Sequence, residues 1–154
     1  LSTAAKIRIA RMLYFLLHAV RRPFGGRDQV RARRSGVNWD LDLREGIDLT
    51  IFTLGAFERD TLRTLEALVR SGATVLDVGA NIGAHTLHLA RLVGEKGRVI
   101  AFEPTDFAIA KLRANLHENP ELEKRVDLHQ AFLVAKAGAP IDAAVASSWP
   151  VDGT

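Results

Sequence analysis

Two acids and two glycines carry the chemistry that can be read from this sequence. Residues 73–83 run Ala-Thr-Val-Leu-Asp-Val-Gly-Ala-Asn-Ile-Gly, an apolar, β-branched stretch ending on Asp77 and followed by Gly79 and Gly83. Twenty residues past Gly83, a second apolar run, Val99-Ile100-Ala101-Phe102, ends on Glu103. A glycine just past a strand admits positive φ and lets a ligand approach the backbone. An acid at the carboxyl end of a parallel strand lies on the edge where open α/β sheets bind ligands. Asp77 there attracts an ammonium group, and Glu103 offers hydrogen bonds to ribose hydroxyls. The elements required to place them form a βαβ unit: strand 73–78, a glycine turn, helix 84–93, the turn Gly94-Glu95-Lys96-Gly97 and strand 98–103.

The spacing separates two ligand classes. A dinucleotide turn wants Gly-x-Gly-x-x-Gly so that phosphate oxygens meet bare amides at a helix N-terminus. Here Asn81 stands at the second glycine position and Ala84 at the third, and Asp77 would repel a pyrophosphate. A ligand with an amino group and a ribose fits better, and S-adenosylmethionine has both. The plainer alternatives make Asp77 a helix cap and Glu103 a solvated strand end. The rival functional class is a nicotinamide (NAD)-dependent oxidoreductase.

The flanking elements extend the same pattern. Leu62, Leu65, Leu68 and Val69 give a helix over 58–70 a buried side, and Ser71-Gly72 ends it. Pro104 stops the second strand, and Phe107, Ile109, Leu112 and Leu116 face inward from a helix over 105–117. A third strand is expected at 126–132 and another at 141–146. Strands alternating with helices predict an α/β, doubly wound parallel sheet. Upstream, Trp39, Leu41 and Leu43 alternate, Arg44-Glu45-Gly46 can turn, and Ile47, Leu49 and Ile51 resume the alternation, which predicts a β-hairpin.

At this point the sequence resembles a known family. Val75-Leu-Asp-Val-Gly-Ala-Asn-Ile-Gly-Ala-His-Thr-Leu, followed by Arg98-Val-Ile-Ala-Phe-Glu-Pro, is similar to the FkbM family of S-adenosylmethionine-dependent methyltransferases. Gly55-Ala-Phe-Glu58 resembles that family's aromatic-Glu element, and Lys111-Leu-Arg-Ala-Asn-Leu-His-Glu-Asn its next helix. The resemblance implies a Rossmann-like class I methyltransferase fold and O-methylation of a small-molecule or sugar hydroxyl. It implies that Asp77, Gly79, Ala80, Asn81 and Gly83 hold the methionine end of the cofactor and that Glu103 holds its ribose. Glu58 would lie near the cofactor; its other reading is a first-turn acid favoured by the helix dipole. Gln130, at the end of the third strand, is the candidate for an adenine contact. Glu58 and His85 are the candidates for a proton acceptor. His85 and His88 stand three apart without a third ligand, so no metal site is expected. Family members continue into an Ile-Asp-x-Glu-Gly-like strand that this chain does not reach. It reads as a cofactor-binding portion, with an exposed sheet edge that favours self-association. A non-catalytic cofactor-binding or membrane-docking fragment is therefore a further alternative.

Composition bounds the rest. The 154 residues suit one domain with a core, and the absence of cysteine excludes disulfides and thiolate metal sites. The net charge of +3 divides unevenly: residues 1–36 carry +8 and the remainder −5. Residues 1–36 read as a basic amphipathic helix over 4–20 and a solvated, arginine-rich linker, with the partial methyltransferase domain at 37–154. The helix, with Ile7, Met12, Phe15 and Leu16 on its apolar side, suits an anionic membrane surface or a partner. Nucleic acid is not expected, because the arginines lack interleaved aromatic residues. The expected location is cytoplasmic, with peripheral membrane contact.

Overall fold

The computed structural model describes residues 3–136 and 150–152. They form two compact units, one from residues up to Phe57 together with the C-terminal segment from Ser148, the other from Glu58 to Ser147.

The first unit is built on helix α1 (Thr3–Arg21), a hairpin of β1 (Gln29–Arg34) and β2 (Val37–Asp42), and helix α2 (Gly46–Leu54). The hairpin is antiparallel, from Gln29 opposite Asp42 to Arg34 opposite Val37. Its two-residue connection has positive φ at both Ser35 (48°) and Gly36 (78°), the arrangement that matches the twist of the flanking strands. Alternation in β2 buries Val37, Trp39 and Leu41 and turns Asn38 outward. Tyr14, Leu43, Leu49 and Val151 form a core, with Ala10, Leu17, Val30 and Phe52 packed against it. Val151 is held there by its N–H, which donates to Arg44 O at 2.7 Å.

This arrangement corrects two expectations. A hairpin is present, but one strand earlier than predicted: most of the expected linker at 21–36 is a short 3-10 turn (Arg22–Phe24) and strand β1. Ile47, Leu49 and Ile51 belong to helix α2 instead of a second strand. The hydroxyls of Thr50 and Thr53 in this helix bond back four residues, to Gly46 O and Leu49 O, each at 2.7 Å. Gly55, at φ 88°, closes the helix with its N–H on Ile51 O.

The second unit contains helix α3 (Arg59–Leu68), β3 (Thr74–Val78), α4 (Thr86–Val93), β4 (Arg98–Phe102), α5 (Asp106–His117), the single turn α6 (Pro120–Glu123) and β5 (Val126–His129). The three strands are parallel in the order β3-β4-β5, with Asp77 opposite Ala101 and Phe102 opposite His129. Helix α4 packs on β3 and β4, and Leu87, Ala90, Val93, Val99, Ala101 and Leu112 are fully buried in this layer. Side chains alternating the other way, Leu76 and Val78, are each 61% exposed. The predicted third strand ends at His129, three residues short of expectation, and the strand expected at 141–146 lies outside the described residues. The turn α6 adds an element that the pattern of apolar residues does not announce, although Pro120 stands where proline starts helices readily.

Candidate functional site

The glycine turn is made by the end of β3 meeting the end of β4. Phe102 O accepts from the N–H groups of both Gly79 (2.9 Å) and Ala80 (3.0 Å), which draws the chain across the strand ends. Asn81 then takes a left-handed conformation (φ 49°), rare outside glycine but best tolerated by asparagine. Its Oδ1 accepts the N–H of Ile82 at 2.8 Å. Gly79 and Gly83 have φ of 82° and 93°.

The two glycines have different reasons to be glycine. A Cβ on Gly79 would meet nothing within 4 Å, so the space over that backbone is open to a ligand. A Cβ on Gly83 would lie 2.5 Å from Leu112 Cδ1 and 3.2 Å from Leu87 Cδ1. Gly83 is thus closely packed by side chains of helices α4 and α5. Ala80, like Gly83, is buried.

Both acids stand at the strand ends, with partners that sequence reasoning did not supply. Asp77 Oδ2 accepts the hydroxyl of Thr86 at 2.6 Å, which ties β3 to the first residue of α4 through a side chain. Glu103 is 4% exposed and is no solvated strand end. Its Oε2 accepts the N–H of Asn81 (2.9 Å), while Oε1 accepts both the N–H (2.9 Å) and the hydroxyl (2.5 Å) of Thr105. A carboxylate has roughly four acceptor positions, and three are used, one by the turn and two by Thr105 just before α5. A ligand hydroxyl that bonds both oxygens must displace the Thr105 hydroxyl, the one partner able to rotate away.

The two candidates for proton transfer come together. His85 Nε2 lies 3.6 Å from Glu58 Oε2, though 27 residues separate them in the chain. Glu58 stands just before α3 at φ 48°, a left-handed conformation that costs a non-glycine residue roughly 1–2 kcal/mol. Such strain is concentrated where position matters more than local stability. Gln130 lies just past β5, and its Nε2 donates to Asp106 Oδ1 at 2.6 Å, so its amide reaches the start of α5. Beside it, the rings of Phe102 and His129 stack with centroids 5.2 Å apart.

Asn115 is a further residue that the sequence did not single out. Fully buried on α5, it donates from Nδ2 to Ile82 O at 3.0 Å and so fixes the far side of the glycine turn. His88 is separate from the turn. It lines a cavity of about 150 Å³ with Leu62, Glu66, Arg91 and Leu92. Burial, reinforced by the Arg91 charge, pushes its imidazole down to about 4, so it is neutral at physiological pH.

Comparison with known proteins places this geometry. The profile of the protein-L-isoaspartate(D-aspartate) O-methyltransferase (PCMT) family matches residues 52–145. A solved transferase from Pyrococcus horikoshii superposes with a TM-score of 0.50 at 23% identity, covering 70% of this chain and 38% of its own. An S-adenosylmethionine-dependent methyltransferase from Aquifex aeolicus is 25% identical over 55% of this chain and 43% of its own, at a TM-score of 0.44. A protein from Clostridium thermocellum described as an rRNA methylase is 35% identical over 48% of this chain and 39% of its own, with a TM-score of 0.45. The chain thus spans less than half the length of each of these structures. Its fold is the Rossmann-like α/β fold of class I methyltransferases. The FkbM resemblance is overturned by the PCMT match. The residues that suggested it, 75–87 and 98–104 with 55–58 and 111–119, fall within the stretch that the PCMT profile matches.

Proposed function

We propose, from the premise that this chain belongs to the protein-L-isoaspartate(D-aspartate) O-methyltransferase family, that it binds S-adenosylmethionine at the 77–83 turn and serves methyl transfer to an oxygen. The observation that carries this reading is the coincidence, at one sheet edge, of open backbone at Gly79 with carboxylates at the ends of β3 and β4. The residues fit the cofactor. Asp77 suits its ammonium, the Gly79–Gly83 turn its methionine backbone, Glu103 its ribose and Gln130 its adenine. When bound, the cofactor supplies a methyl group already activated on sulfonium.

What remains for the protein is to align an acceptor and receive its proton. Glu58 and His85 suit proton removal, since the imidazole can take a proton while the carboxylate orients it and stabilises the charge. This favours a hydroxyl acceptor on a small molecule or sugar, because a hydroxyl must lose a proton and a carboxylate need not. The family description supports a second reading, in which the acceptor is an isoaspartyl carboxylate. A free carboxylate would meet like-charge repulsion from Glu58, so the two readings diverge on that residue.

Calorimetry with S-adenosylhomocysteine and with NAD tests the cofactor assignment. Binding of the first alone is expected, weakened at least tenfold in Asp77→Asn. Preference for NAD would sink the reading and restore the oxidoreductase alternative.

A further inference from the structure

Helix α1 has two apolar faces, and the first unit uses one. Ala10, Tyr14 and Leu17 recur at four- and three-residue spacing and face the core formed with Leu43, Leu49 and Val151. Ile9, Met12, Leu16 and Val20 follow the same spacing on another side, at 47, 68, 62 and 60% exposure. At about 100° per residue this second stripe lies well away from the first. Phe24, in the turn that follows the helix, is 90% exposed. Single exposed apolar residues are ordinary; a contiguous row on one helix is not.

Charge identifies what the row fits. Residues 1–27 contain six basic side chains and no acid. Arg8 and Arg11 are exposed along one border of the stripe and Arg22 is exposed at its end. Among the described residues no helix is long and apolar enough to cross a membrane. An apolar stripe bordered by arginines instead suits a helix lying in the interface, apolar side chains toward acyl chains and guanidinium groups at lipid phosphates. RNA would satisfy the arginines but leave Met12, Leu16 and Val20 in water.

We infer that the exposed face of α1, centred on Met12 and Leu16 and bordered by Arg8 and Arg11, docks the protein on anionic lipid bilayers. This surface stands apart from the methyltransferase reading and would hold if that reading failed. The test is co-sedimentation of the intact chain with phosphatidylcholine vesicles, with and without phosphatidylglycerol, at low and high salt. The protein should pellet with the anionic vesicles, and salt should release it. Arg8→Gln with Arg11→Gln should weaken binding roughly 30-fold, since each basic residue near such a surface contributes about 1 kcal/mol. Met12→Ser with Leu16→Ser should weaken it at least tenfold without loss of helical circular dichroism. These side chains are exposed, so the core is untouched, and the dependence of the unaltered protein on anionic lipid needs no variant. Equal pelleting with neutral vesicles overturns the proposal. So does binding to an RNA oligonucleotide without binding to vesicles, or a dimer that Met12→Ser with Leu16→Ser dissolves while vesicles remain unbound.

Discussion

The Ser35-Gly36 turn of the first unit and the Gly79–Gly83 turn of the second both depend on left-handed residues, yet they are held in different ways. In the hairpin, two positive-φ residues reverse the chain, and strand pairing on either side fixes the register. In the turn of the second unit, Gly79 still bonds Phe102 O at the end of β4, but Asn81 and Gly83 lie beyond the paired strands. Side chains from elsewhere hold the part from Asn81 to Gly83: Glu103 on the Asn81 N–H, Asn115 on Ile82 O, and Leu112 against Gly83. A turn that only reverses the chain can be specified locally. One that must leave backbone open on one side needs support from the other.

Four measurements break or sharpen this contrast. The largest effect is expected on methyl transfer. His85→Gln should lower kcat about 10²–10³-fold, in the range of general-base contributions. Glu58→Gln should act in the same direction, and S-adenosylhomocysteine affinity should stay within a few-fold. An unchanged kcat in both would reduce the Glu58–His85 pair to a structural contact. Next, Gly83→Ala should destabilise the protein by about 3 kcal/mol in urea, combining left-handed strain with overpacking against Leu112. Gly55→Ala, whose Cβ would sit 3.5 Å from Ser35 Oγ, should cost only the strain, about 1 kcal/mol; equal costs would erase the distinction between supported and local turns.

Glu103→Gln should cost about 2 kcal/mol, because one amide nitrogen would face a backbone N–H and leave a buried donor unpaired. A neutral result would mean that the turn keeps its shape without the carboxylate.

His88 supplies a pH dependence of similar or slightly smaller size. Its folded value of about 4 lies below the ordinary histidine range, so the unfolded chain binds the proton first as pH falls. The stability it contributes is present above about pH 6.5 and drains away toward pH 4, by about 2 kcal/mol between pH 7 and 4.5. His88→Leu should flatten that part of the urea-midpoint profile, and an unchanged slope would remove His88 as its source.

The sequence pattern makes the second unit far easier to read than the first. Between Ala73 and Glu103, strand, turn, helix and strand are each bounded by glycine or proline, and the structure keeps them within a residue or two. The first unit offers weaker punctuation. Gln29-Val-Arg-Ala-Arg-Arg34 alternates half-buried with exposed positions, but four of its six side chains are long and polar, so it resembles a linker. The Ser35-Gly36 pair is the available hairpin signal. Ile47, Leu49 and Ile51 alternate as in a strand, and only Gly55 shows where a helix would close.

Within the site, Asp77, Gly79 and Glu103 can be picked out by type and spacing. Thr86, Thr105 and Asn115 cannot, since their partners are set by how helices dock on the sheet. The meeting of Glu58 with His85 belongs to the same category.

The bond from Asn115 to Ile82 spans 33 residues and joins α5 to the turn. The shape of the turn therefore depends on a helix that follows it in the chain, and loosening α5 would loosen the turn with it. It also gives evolution a remote dial. Substitutions at Leu112 or Asn115 would reach the turn from behind, without changing a residue of the turn itself.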